Sequence, residues 1–153
     1  LHHALELVVA IGPGGRDIPP ASALAHVFGY AVGLDLTRRD LQFDAREHGR
    51  PWDVAKGFDC SAPVSAIRPA AEMGHPEQGA IWLEVNGETR QRANLSEMIW
   101  NVPEIVAELS TYFELRPGDL IYTGTPEGVG PVQRGDSLVG GIDGLETLRI
   151  TIV

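Results

Sequence analysis

Basic charge is scarce in this sequence, sulfur scarcer, and long apolar runs are missing altogether. Its 153 residues carry 12 Lys+Arg against 21 Asp+Glu, a formal net charge of −9. A protein that tracks a phosphate backbone needs clustered cations, so nucleic-acid binding is excluded as the main role, whereas a cationic ligand or a metal is not. The single cysteine, Cys60, cannot close an internal disulfide and rules out a disulfide-dense secreted scaffold. No apolar run approaches the roughly 20 residues of a membrane helix, and no charged leader precedes an apolar segment. No membrane association and a cytoplasmic location are the expectations. Several catalytic signatures are absent too. There is no Gly-x-Ser-x-Gly elbow, no Gly-Lys-Ser/Thr ending to a phosphate loop, and no His-x-x-x-His or Cys-x-x-Cys spacing. Lysine is nearly absent: of the 12 basic residues only Lys56 is not arginine.

What is present suits one globular domain over residues 1–153. At 43% hydrophobic and 22% charged the chain can bury a core. Leu5–Ile11 reads as a strand ended by Gly12-Pro13-Gly14-Gly15, with Ala4, Glu6, Val8 and Ala10 on one face. Pro19-Pro20 opens a short helix in which Leu24, Val27 and Phe28 share a face, with Gly29 as its stop. A second strand is expected over Tyr30–Thr37, its Ala31, Gly33, Asp35 and Thr37 face made of small residues around the aspartate. Ala80–Val85 runs into Asn86-Gly87, a strong type I′ hairpin signal, with a return strand from Glu88 to Gln91. A helix from Pro103 would place Ile105, Val106, Leu109, Tyr112 and Phe113 at helical spacing. Closing strands are expected near 119–123, 137–142 and 147–153. Helices and strands alternate too irregularly for a doubly wound sheet, and the fold class is α+β, mainly β.

Some residues invite chemistry, each with a plainer alternative. Glu6 is either a carboxylate on the wet side of a half-exposed strand or a metal ligand. Asp35, among small residues, must be paired or bound to a cation if it is buried. A few carboxylates completed by water and substrate are the usual shell of Mg²⁺ or Mn²⁺. In a helical turn Arg39 and Gln42 project together, and the planar Arg fork suits a carboxylate; an exposed Arg–Asp turn is the alternative. Lys56 is either a chance survivor or a required compact ammonium. The segment Thr123-Gly124-Thr125-Pro126-Glu127-Gly128-Val129-Gly130 offers backbone amides and the Thr125 hydroxyl to an anion, or is a set of structural turns.

These pieces occur in a distinctive order: His2-His3-Ala4-Leu5-Glu6-Leu7, Asp35-Leu36-Thr37-Arg38-Arg39-Asp40-Leu41-Gln42, Lys56-Gly57-Phe58-Asp59, Val85-Asn86-Gly87-Glu88, Met98-Ile99-Trp100 and Thr123 through Gly130. From Leu1 to Val153 the chain resembles the catalytic core of the fumarylacetoacetate hydrolase family, in its acylpyruvase branch. The resemblance implies a layered mixed β roll, usually paired as a homodimer. It implies Mg²⁺ or Mn²⁺ held by a Glu-x-Glu pair and an Asp, of which Glu6 matches the second Glu and Asp35 the Asp. Arg39 and Gln42 match substrate-contacting positions, Lys56 a catalytic lysine near the metal that also contacts substrate, and Thr125 a threonine at the substrate's carboxylate end. Ala4 stands where the first metal Glu is expected, so metal binding should be weakened. The family's general-base His and its partner Glu lie in a segment ahead of Leu1, so the chain is expected to be a catalytic core lacking that segment.

The implied reaction is hydrolysis of a carbon–carbon bond in an acylpyruvate, such as fumarylpyruvate giving fumarate and pyruvate in aromatic-acid breakdown. Oxaloacetate decarboxylation or isomerisation of a hydroxymuconate-type diacid uses the same enolate chemistry. A catalytically impaired member is the third reading, resting on Ala4.

Overall fold

In the computed structural model, which describes Leu1 to Val153, a short strand β1 (His2–His3) leads into β2 (Leu5–Ile11), every residue of which is buried. The expected helix after Pro19-Pro20 is a 3₁₀ segment, Pro20–His26. It stops early because Val27 is already extended, and β3 runs from Val27 to Leu34. Gly29 therefore lies inside a strand instead of ending a helix, and Phe28 faces outward at 53% exposure. Two helices follow, α1 (Arg39–Glu47) and the single turn α2 (Asp53–Lys56), then β4 (Arg68–Pro69) and the turn α3 (Ala70–Met73).

Strands β5 (Ala80–Val85) and β6 (Glu88–Asn94) form the expected hairpin, with Asn86 and Gly87 both at positive φ. The return strand extends three residues beyond Gln91, into an Asn94–Glu97 capping box that starts the 3₁₀ turn Leu95–Glu97. Helix α4 (Val102–Tyr112) begins one residue before Pro103, because Asn101 and Glu104 form a second capping box. Its buried face is carried by Val102 and Val106, while Tyr112 and Phe113 are 65% and 62% exposed and lie off the core. The closing strands are β7 (Leu120–Tyr122), β8 (Gly130–Pro131), β9 (Ser137–Ile142) and β10 (Leu148–Thr151).

Two four-stranded sheets result, ordered β4-β3-β2-β7 and β10-β9-β5-β6, with β1 and β8 pairing apart. The α+β, mainly β class is as expected. Every ladder is antiparallel, so the strand mixture expected within the roll is absent. One core joins the sheets: Leu5, Leu7, Val9 and Ile11 of β2 and Tyr30, Val32 and Leu34 of β3 meet Ile81, Leu83, Leu138 and Ile142. No helix is long and apolar enough to cross a membrane.

The sheets touch closely where Gly140 of β9 lies under Leu5, since a Cβ at Gly140 would overlap Leu5 Cδ1. Over-packing a filled interior typically costs about 1–3 kcal/mol. Gly140→Ala should lower the free energy of urea unfolding by that order. An unchanged midpoint and slope would mean the sheets separate easily.

Candidate active site

The register of β2 on β3 decides which side chains meet. Leu5 pairs with Leu34 and Glu6 with Gly33. The pairing continues one step further, because the Asp35 N–H donates to the Ala4 carbonyl at 2.8 Å. Ala4, Glu6, Gly33 and Asp35 thus share one face, with Glu6 and Asp35 as diagonal neighbours. Asp35 sits just past the end of β3 and not in mid-strand as the alternation suggests. Nor is the space above Gly33 open. A Cβ there would lie 2.6 Å from Tyr122 Cε1, so the Tyr122 ring fills the room that the small residues implied.

Glu6 is 5% exposed, which disposes of the wet-face reading. Its Oε2 accepts one hydrogen bond, from the Gly124 N–H at 2.8 Å, and its Oε1 accepts none. Burial raises its pKa to about 7, the neighbouring Asp35 charge adds to the rise, and the Gly124 bond and Lys56 oppose it. A hydrogen bond to a charged group contributes about 1.5–3 kcal/mol, less than the several kcal/mol of effective cost of burying an ion. Desolvation therefore wins. Asp35 is better placed: Lys56 Nζ donates to its Oδ2, with both side chains about one-third exposed (32% and 27%). Tyr122 lies beside both carboxylates. Burial, then Glu6 and Asp35, push its phenol pKa up.

Arg39 and Gln42 form a second group at the start of α1, where Arg39 Nη1 donates to Gln42 Oε1 at 2.5 Å. Arg39 Nε donates to His2 Nδ1 at 3.3 Å. Backbone bonds in both directions between His2 and Thr37 bring β1 alongside the segment that follows Asp35. Thr125 lies on the loop after β7, and its hydroxyl is spent: Oγ1 donates to the Leu5 carbonyl at 2.8 Å and accepts from Gln91 Nε2 at 2.7 Å. The Thr125 backbone N–H has no acceptor and is the group left for an anion. The structure thus gathers Glu6, Asp35 and Lys56, pairs Arg39 with Gln42, and ties Thr125 to the strand that carries Glu6. A cavity of about 610 Å³ is lined by Thr123, Gly124 and Thr125 but by none of Glu6, Asp35, Lys56, Arg39 and Gln42.

The donors fit a hard divalent cation, though thinly. Glu6 Oε1 is free, Asp35 is its diagonal neighbour, and both are the oxygen donors that Mg²⁺ or Mn²⁺ prefers. Nowhere do three His, Cys, Asp or Glu side chains gather as a metal set. At the third position stands the methyl group of Ala4, 5% exposed.

Sequence reasoning missed three participants. Tyr122 sits in a short strand whose pattern gave no sign that its ring would cover Gly33. His2 showed only as one of two neighbouring histidines. Gln91, 1% exposed, is a polar residue at an inward position of an otherwise exposed strand, and that is the signal that marks it.

Comparison with known proteins finds relatives along the whole of this chain. The profile of the family described as Fumarylacetoacetate (FAA) hydrolase C-terminal matches residues 1–153. A fumarylpyruvate hydrolase from Ralstonia sp is 51% identical over 151 residues, covering 99% of this chain and 78% of that protein. A mitochondrial oxaloacetate tautomerase, FAHD1, from Arabidopsis thaliana is 44% identical over 152 residues, covering 99% of this chain and 68% of that one. The crystal structure of fumarylpyruvate hydrolase from Pseudomonas aeruginosa in complex with Mn²⁺ and pyruvate superposes with a TM-score of 0.98 at 57% identity. The match covers 99% of this chain and 65% of that one, so this chain spans just under two thirds of it.

Two buried groups set opposing pH dependences in the metal-free protein. Glu6, raised to about 7, keeps a proton in the fold that the unfolded chain releases near 4.5, so it adds stability as pH falls through that window. His3 is lowered by burial, so the unfolded chain takes a proton near 6.5 that the fold refuses, and stability falls on acidification. In chelator, Glu6→Gln should lose stability more steeply than wild type between pH 7 and 5, and His3→Gln less steeply. Denaturant titrations at each pH read both slopes; parallel profiles would contradict the assignment.

Proposed function

The chain belongs to the fumarylacetoacetate hydrolase family, and we propose that residues 1–153 form the metal-dependent core of an acylpyruvate hydrolase acting on fumarylpyruvate. The observation that carries this reading is the diagonal pair Glu6 and Asp35, with Lys56 bonded to Asp35, in a chain 51% identical to a fumarylpyruvate hydrolase. Glu6 and Asp35 would hold Mg²⁺ or Mn²⁺. When bound, the cation supplies Lewis-acid polarisation of the substrate's 2-oxo group. Arg39 and Gln42 offer N–H donors to the 2-oxo acid carboxylate, and the Thr125 N–H offers another. Water adds to the acyl carbonyl, the bond to the pyruvate methylene breaks, and its electron pair passes into the pyruvate enolate, which takes up a proton. Lys56 Nζ and Arg39 place positive charge where that enolate develops, and groups poised at developing charge are the most effective in catalysis. No residue among these 153 is assigned as the base that activates the water. The partners on this reading are a small 2-oxo acid and a second copy of the chain, in the cytoplasm.

A second reading, enolisation or decarboxylation of oxaloacetate, draws on the 44% identity to an oxaloacetate tautomerase. It needs the same carboxylate pair and the same stabilised enolate.

Ala4 gives the sharpest test. Ala4→Glu restores a third anion on the Glu6 face, and Mn²⁺ affinity by calorimetry should rise at least about tenfold, the scale on which ligand-set changes act. Coupled detection of fumarate and pyruvate should report turnover of fumarylpyruvate, reduced by about 10²–10³ in Lys56→Met. Enol-to-keto conversion of oxaloacetate without fumarate release selects the second reading. No turnover of either substrate by the full-length protein, wild-type or A4E, in Mn²⁺ overturns both.

A further inference from the structure

We propose that Gln91 is a positioning residue that fixes the Thr123–Glu127 loop against the strand carrying Glu6. The proposal rests on the functional reading above only in what the loop is positioned for. The side chain lies in the second sheet yet makes all its hydrogen bonds to β1, β2 and the loop. Its Oε1 accepts from the Leu5 N–H at 3.0 Å and lies 3.3 Å from His3 Nδ1. Its Nε2 donates to Thr125 Oγ1 at 2.7 Å and to the Pro126 carbonyl at 2.9 Å. The orientation of the amide is not ambiguous, because the Leu5 nitrogen can only donate and the Pro126 carbonyl can only accept. The proton on His3 is then assigned as well, to Nδ1.

The network closes on one residue. Thr125 Oγ1 donates to the Leu5 carbonyl, so both peptide groups flanking the Leu5 side chain are held, one by Gln91 and one through Thr125. Leu5 separates Ala4 from Glu6. From Tyr122 onward the loop continues alongside β2: Thr123 bonds the Leu7 carbonyl, Gly124 the Glu6 carboxylate, and Thr125 the Leu5 carbonyl. Regular pairing with β2 ends at Tyr122, and Pro126 has no N–H to extend it. Gln91 takes over at that point. Its Oε1 supplies the acceptor for the Leu5 N–H that a further ladder step would have supplied. The loop cannot drift outward from β6 at no cost, nor press closer, since a Cβ on Gly128 would overlap the Arg90 carbonyl. Removing Gln91's donors should leave the carboxylates in place and free the loop that bears the unpaired Thr125 N–H.

Gln91→Glu keeps an oxygen for Leu5 but loses both loop-side donors at neutral pH, and Gln91→Met removes every polar atom at similar volume. Both are read by Mn²⁺-dependent pyruvate binding in calorimetry and by amide exchange. Binding should weaken about 10–100-fold, the usual effect of losing an outer partner of a ligand site. Exchange should accelerate at residues 123–127 and stay unchanged at 137–142. Thr125→Val should weaken binding by itself yet add little in the Gln91→Met background, because the two side chains act as one unit. It also stands in as the folded variant if neither Gln91 substitution folds. Wild-type affinity in folded Gln91 variants, or fully additive losses, overturns the proposal. If wild type binds no Mn²⁺ and pyruvate, the functional reading fails by itself. The exchange pattern then decides, and unchanged protection at 123–127 overturns the positioning role.

Discussion

Antiparallel pairing of β2 with β3 puts Leu5 opposite Leu34 and Glu6 opposite Gly33, and the position of every candidate group follows from that register. A slip of one residue would exchange the faces, sending Leu5 and Leu7 out of the core and Glu6 into it. The 23 buried apolar residues of the core make such a slip prohibitive. Hydrophobic burial on one face therefore holds a carboxylate in place on the other. Glu6 needs that support, because it is itself buried with one hydrogen bond and would by itself favour solvent.

The site divides its polar groups into those already satisfied and those left free. Lys56 and Asp35 satisfy each other in part, and Gln91, Thr125 and Leu5 close a ring of bonds. Glu6 Oε1, the Thr125 N–H and the remaining Arg39 and Gln42 donors stay open. One further buried atom has no partner, the Thr37 hydroxyl, midway in sequence between Asp35 and Arg39. An unmet buried hydroxyl costs on the order of 1–3 kcal/mol.

How much of this was legible in the sequence differs from residue to residue. The Leu5–Ile11 strand, the Asn86-Gly87 turn and the α4 region were readable because local pattern and tertiary burial agree there. Alternation placed Ala4 and Glu6 on one face correctly. The helical spacing from Pro20 holds only to His26, because pairing of Val27 and Gly29 with β2 makes the last three residues of that segment a strand. Small residues around Asp35 imply room beside it, and only the fold reveals that Tyr122, about ninety residues further on, covers Gly33. Gln91 was legible as a return-strand residue but not as part of the site, because its partners lie 34 to 88 positions away. Patterns of period two carry no information over such separations.

Gly140 beneath Leu5 has a consequence for how the site responds to its surroundings. Where two sheets meet through long side chains, rotamer changes can absorb a displacement; where a backbone meets a side chain with no Cβ between them, little slack remains. The strand between Ala4 and Glu6 therefore rests on a stiff support in the second sheet. A shift of β9 bears first on the Leu5 side chain and through it on the strand that carries Glu6. In mechanical terms the opposite sheet is the anvil on which the Glu6 strand rests.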